Sequence, residues 1–104
     1  MRMPVPAQSP QEHLLEFYGR ECPQCIRMAP LTKKLEEEMG LKIQRYEVWH
    51  NEENVKILAR YDQGLCGGVP FFINTKTNQA ICGSVPYDML KQWALGEEVG
   101  KAEA

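Results

Sequence analysis

The sequence predicts an α/β fold: a mixed four-stranded sheet flanked by helices, in the order β-α-β-α-β-β-α. Three observations predict it. Short apolar runs alternate with longer stretches of helical periodicity. The first strand-helix-strand unit requires parallel strands joined by a right-handed crossover. Two apolar runs separated only by the polar turn NTKTNQ form an antiparallel hairpin.

The elements follow in chain order. His13 to Tyr18 (HLLEFY) suits a buried strand closed by Gly19, with Glu16 as its one charged member. A helix begins near Pro23, because proline is favoured in a first turn whose N–H groups lack partners. It runs to Met39 and stops at Gly40, a residue suited to a left-handed C-terminal position. Met28, Leu31, Leu35 and Met39 recur at helical spacing and face the core, while Lys33, Lys34 and Glu36 to Glu38 form the solvated side. Leu41 to Trp49 supplies a second strand. Asn51 caps a second helix with an acidic first turn; Val55, Ile57, Leu58 and Tyr61 are its apolar side and Gly64 ends it. Val69 to Ile73 and Ala80 to Cys82 are the hairpin strands. Ser84 caps a last helix, with Pro86 in its first turn and Tyr87, Leu90, Trp93 and Ala94 inward. Trp49 and Trp93 both read as packing residues.

Composition bounds the function. A chain of 104 residues with 43% apolar and 25% charged residues is the size and make-up of one globular domain. The domain spans 13–96, between a flexible lead-in at 1–12 and a flexible tail at 97–104. A net charge of −2 with no basic stripe gives no footprint for nucleic acid. No apolar run approaches the roughly 18 residues of a membrane helix. The start, MRMPVPAQSP, has no apolar segment of the secretory kind. Cys22, Cys25, Cys66 and Cys82 are too unevenly spaced for a disulfide scaffold, which places the chain in a reducing compartment. The cytoplasm is expected, or a reducing organelle if a transit peptide has been removed.

The chemistry lies in Cys22-Pro23-Gln24-Cys25, a pair of sulfurs placed after a strand and at the start of a helix. The unpaired N–H groups of a first helical turn carry partial positive charge and favour a thiolate, the species that attacks a disulfide. Arg20 favours that anion and Glu21 opposes it. By position, Cys22 is the exposed attacking thiol, and Cys25, one turn inside, is the buried thiol that resolves the mixed disulfide. Zinc wants a second close pair of Cys or His, which Cys66, Cys82, His13 and His50 do not provide. No metal or cofactor is therefore expected in one chain; a cluster shared between two chains stays open.

The stretch EFYGRECPQCIRMAPL resembles the thioredoxin/glutaredoxin superfamily, in which a buried acid leads through a cysteine pair to a proline in the same helix. Pro30 has the family's offset of five from Cys25, GGVPFF matches the segment around its cis-proline at Pro70, and Gly83 fits the glycine after the hairpin. The resemblance covers about residues 13 to 95. It implies a thioredoxin-like fold, a redox disulfide at Cys22 and Cys25, a cis bond at Val69-Pro70, and a substrate-binding surface at Pro23, Gln24, Val69 and Pro70. It also implies that Glu16 serves Cys25 in proton transfer; as a residue alone, Glu16 reads equally well as an acid on the outward face of an edge strand. Pro70 removes a backbone donor, which leaves the Val69 backbone free to pair with an incoming peptide. The chain departs from the family at Glu21, where thioredoxins carry tryptophan, and CGSVPYD matches glutathione contacts poorly.

The expected function is thiol–disulfide oxidoreduction on protein disulfides, by a monomer supplied by a thiol or reductase donor. A glutathione-dependent glutaredoxin-like protein and a non-catalytic thioredoxin-fold interaction module are the alternatives. Cys66 reads as a small loop or half-buried residue, with a regulatory thiol or a glutathionylation site as the alternatives, and Cys82 as plain core.

Overall fold

The computed structural model describes residues 13–97; the lead-in at 1–12 and all but Glu97 of the expected tail lie outside the described residues. The elements are β1 (Leu14–Tyr18), α1 (Pro23–Met39), β2 (Gln44–Glu47), α2 (Glu52–Asp62), β3 (Phe71–Asn74), β4 (Gln79–Cys82) and α3 (Tyr87–Leu95). They form a four-stranded sheet in the order β2-β1-β3-β4. β1 and β2 are parallel, whereas β1–β3 and β3–β4 are antiparallel. This is the mixed sheet expected from the sequence, with β1 and β3 in its interior.

Alternation along the strands divides the core into two layers. Leu14, Phe72 and Ile81 point to one face and pack with Met28 and Leu35 of α1 and with Leu90, Trp93 and Ala94 of α3. Leu15, Phe17, Phe71 and Ile73 point to the other, beneath Ile57 and Leu58 of α2. The α2 side is the thinner cover: Ile57 and Leu58 are half-buried, and Val55 and Tyr61 are exposed. Met39, expected to face the core, is also exposed.

Local chemistry sets the ends. α1 starts with Cys22 as N-cap and Pro23 in the first turn, and ends at Gly40 with φ 64°. Pro30 lies inside α1 without ending it, and on that turn the Thr32 hydroxyl donates to the Ala29 carbonyl at 2.9 Å. Asn51 caps α2 by accepting the Asn54 N–H at 3.1 Å. The left-handed turn after α2 starts one residue earlier than expected, at Gln63 (φ 49°), and continues through Gly64 (φ 81°). At α3 the expected cap is corrected. Pro86 holds the N-cap position with no side-chain hydrogen bond, so Ser84 caps nothing there. No described helix is long and apolar enough to cross a membrane.

Candidate functional site

The strand-to-helix junction brings the sulfurs together. The Cys22 N–H donates to the Gly19 carbonyl at 3.0 Å, which closes the turn out of β1. Cys22 then caps α1, and its Sγ accepts the Cys25 N–H at 3.1 Å. Both cysteines are free thiols.

The expected exposure of Cys22 is not met. Cys22 is 4% exposed, nearly as buried as Cys25 at 2%. The cause is the segment before β3. There the Val69 carbonyl lies 3.8 Å from Cys22 Sγ, a weak S–H···O contact, and Pro70 is fully buried. The Val69-Pro70 bond is cis. Pro23 and Gln24 are exposed on the outer side. Gly83, with φ +82°, donates its N–H to the Pro70 carbonyl at 2.8 Å, and a Cβ there would stand 3.3 Å from Gln24 Oε1. The residues expected to bind substrate thus meet at one end of the sheet, around Cys22.

Glu16 settles on the inward reading. It is fully buried on an interior strand, and by alternation it shares the face of Leu14, the side covered by α1. In the parallel register Arg45 lies beside it, and Arg45 Nε donates to Glu16 Oε1 at 2.9 Å. Among the described residues Glu16 Oε2 has no hydrogen-bond partner. Burial raises the Glu16 pKa above the usual carboxylate value, and Arg45 only partly opposes this. Burial, and then the hydrogen bond with Cys22, push the Cys25 thiol up to about 12, with Glu16 adding to the rise. A cleft of about 120 Å³ opens beside Cys25, between Tyr18, Arg20, Ile26 and Arg45. The Arg45 guanidinium also lies 4.6 Å from the centre of the Tyr18 ring.

A second set of charges surrounds the outer side. Glu21, which the sequence sets against an anion at Cys22, is engaged elsewhere: its oxygens lie 2.7 and 2.9 Å from His50 Nε2. That bond holds its carboxyl below the usual range. Glu47 accepts the backbone N–H groups of Arg20, Trp49 and His50, and these outweigh its desolvation to lower its pKa. Glu21, Glu47 and His50 therefore lie close together, though they are scattered in sequence. Trp49, expected as a packing residue, packs over Gly19, where any Cβ would overlap the indole, while 51% of it stays exposed.

Cys66 and Cys82 require the largest correction. They are joined as a disulfide with Cα atoms 5.5 Å apart and a sequence separation of 16. Cys82 is exposed at the end of edge strand β4, not core, and Cys66 is half-buried in the loop between α2 and β3. Their pairing withdraws the cysteine-usage argument for a reducing compartment. A bridge across this span restricts the unfolded chain by roughly 3 kcal/mol. Asp62, at the end of α2, holds the same loop, accepting the Cys66 N–H at 2.6 Å and the Gly67 N–H at 3.0 Å.

Sequence reasoning missed Arg45, His50, Asp62 and the Cys66–Cys82 pair. Two cysteines bracketing a hairpin were the available signal for the last. The Glu16–Arg45 pair needed the register of β1 against β2.

A glutaredoxin from Archaeoglobus fulgidus has a similar structure, with a TM-score of 0.53 over 78% of this chain and 84% of that one, at 19% sequence identity. The fold is thioredoxin-like. No sequence-family model matches the chain, and no curated protein matches it. The likeness therefore rests on architecture, and this thioredoxin-like domain carries its cysteine pair at the strand-to-helix junction.

Proposed function

We propose that the chain is a thiol–disulfide oxidoreductase that reduces protein disulfides through Cys22 and Cys25. The supporting observation is the Cys25 N–H aimed at Cys22 Sγ from 3.1 Å at a helix start. The Cys22 thiolate attacks one substrate sulfur, the substrate disulfide breaks, and the other substrate sulfur leaves and takes a proton. Cys25 then attacks Cys22 Sγ, releasing the second substrate thiol and leaving a Cys22–Cys25 disulfide for a thiol or reductase donor to reduce. A thiol with a pKa of about 12 needs a base for that second step. Glu16 serves as that base, and the cleft beside Cys25 is lined by Arg45, the residue that holds Glu16. The substrate chain pairs with the Val69 backbone beside Pro70.

Insulin disulfide reduction with dithiothreitol tests this reading. The protein is expected to accelerate precipitation and Cys22→Ser to remove the acceleration. Turnover that survives the substitution would take the pair out of the mechanism. The structural neighbour is a glutaredoxin, which supports a second reading in which glutathione is the electron donor. A rate that requires glutathione, and is not supported by a dithiol alone, selects it.

Glu16→Gln separates two effects. Turnover is expected to fall about 10²-fold, the lower range for a lost general base. Stability moves the other way. A carboxyl whose pKa is raised by burial contributes fully below the usual glutamate value, and its contribution is lost as pH rises through the folded value. Urea midpoints are therefore expected to show Glu16→Gln gaining on the wild type as pH rises from about 4 toward neutrality. A variant that instead loses ground over this range would mean that Arg45 dominates and the folded carboxyl prefers its charge.

A further inference from the structure

The Cys66–Cys82 bridge has no part in the steps above, yet it stands at the same end of the sheet. β1 ends there, Pro70 leads into β3 there, and Cys82 closes β4 there, paired with Phe71. The bridge ties the loop that ends in Val69 and Pro70 to the edge strand. Beyond the packing of Cys66 and Val69 on the α2-side core, that loop has little else to hold it. Added Cβ atoms at Gly64, Gly67 and Gly68 would meet nothing within 4 Å, and Leu65 is 67% exposed. Asp62 fixes the Cys66 and Gly67 N–H groups, and the bridge fixes Cys66 to β4. The far end of the same loop carries the Val69 carbonyl that lies over the buried Cys22 sulfur.

We propose that Cys66–Cys82 is a second thiol–disulfide exchange site, taking a low-molecular-weight thiol as its substrate, and that its reduction uncovers Cys22. The exposed Cys82 is the sulfur attacked. An incoming thiolate bonds to Cys82 Sγ, the Cys66–Cys82 bond breaks, and Cys66 leaves with the electron pair. The released Cys66 sulfur takes up a proton from solvent. A second thiol attacks the mixed disulfide, releases Cys82 as a thiol and departs as the oxidised low-molecular-weight disulfide. Two electrons and two protons enter the protein. The loop then keeps its Asp62 bonds and the packing of Cys66 and Val69 on the core but loses its tie to β4, which loosens the Val69 carbonyl over Cys22. The purpose of this opening rests on the proposed role of Cys22 as the attacking thiol, but the exchange itself does not.

The first measurement uses Cys22→Ser/Cys25→Ser, which leaves only the second pair. The folded protein is equilibrated across ratios of glutathione to glutathione disulfide, trapped by alkylation and weighed. The pair is expected to open and close reversibly as the ratio changes. A bridge that opens only in urea, or thiols that stay free at every ratio, overturns the proposal. The second measurement follows Cys22 alkylation by iodoacetamide in Cys25→Ser, with the bridge closed and after glutathione opens it. Alkylation is expected to quicken by about threefold or more as the sulfur is uncovered. Cys25→Ser/Cys66→Ser/Cys82→Ser, which cannot close, should match the open state, and equal or slower rates in the glutathione-opened protein overturn the gating. If insulin reduction fails while the bridge still titrates and gates, the proposed function alone falls. If turnover holds and the bridge is inert, only this inference falls.

Discussion

Cys25→Ser is expected to stop the reaction halfway. Cys22 and its N-cap geometry remain, because the donor at 3.1 Å is the backbone N–H of residue 25 and not its side chain. The first attack therefore still forms a mixed disulfide with the substrate. A serine hydroxyl cannot break that bond, so turnover is expected to fall by at least about 10³-fold, in the range seen when an enzyme loses a covalent participant. Intact-mass analysis should show one substrate chain held per protein, released by dithiothreitol. Cys22→Ser should show no adduct at all. Equal trapping by the two variants would mean that the roles of the cysteines are not divided as their places on α1 indicate.

Trp93→Ala carries the largest expected cost in stability. The ring is fully buried and meets Phe72 edge-on with centroids 5.5 Å apart. Its Nε1–H donates to the Gln79 carbonyl at 3.1 Å, and its own carbonyl accepts from Asn74 Nδ2 at 3.0 Å. α3 is thereby fastened to both strands of the hairpin. Truncation leaves a cavity and removes the indole bond, a loss of about 3–5 kcal/mol. Domains of this size have about 5–15 kcal/mol in all, so the variant is expected to be partly unfolded or close to it. Urea denaturation followed by far-UV circular dichroism measures this. Trp49→Ala, at the exposed indole over Gly19, is the control and should cost about 1 kcal/mol or less. A large loss at Trp49 with a small one at Trp93 would invert the assignment of core and surface.

The two tryptophans show what a sequence discloses and what it withholds. Trp93 repeats with Leu90 at helical spacing, and periodicity marks it as inward. Trp49 stands just past β2, where no period applies, and its place depends on Gly19, thirty residues earlier. Pro23, Gly40 and Asn51 disclosed helix ends because capping is decided by a few adjacent residues. For the same reason the cysteine pair was found on a helix start. Glu16 was different: an acid in an apolar strand reads either way until strand order places β1 inside the sheet and Arg45 beside it. The burial of Cys22 arises from a carbonyl forty-seven residues away. The Cys66–Cys82 bond likewise depends on how the loop after α2 folds back on the hairpin, and spacing alone left the pairing unread and put Cys82 in the core.

Asp62 gives α2 a duty beyond roofing one side of the sheet. Its carboxylate joins the last turn of the least covered helix to the loop that reaches Val69. The helix and the rim of the reactive centre are therefore mechanically one piece. Fraying at the end of α2 would travel along the seven residues from Gln63 to Val69 to the rim, so the looser half of the molecule sets how firmly the reactive half is held.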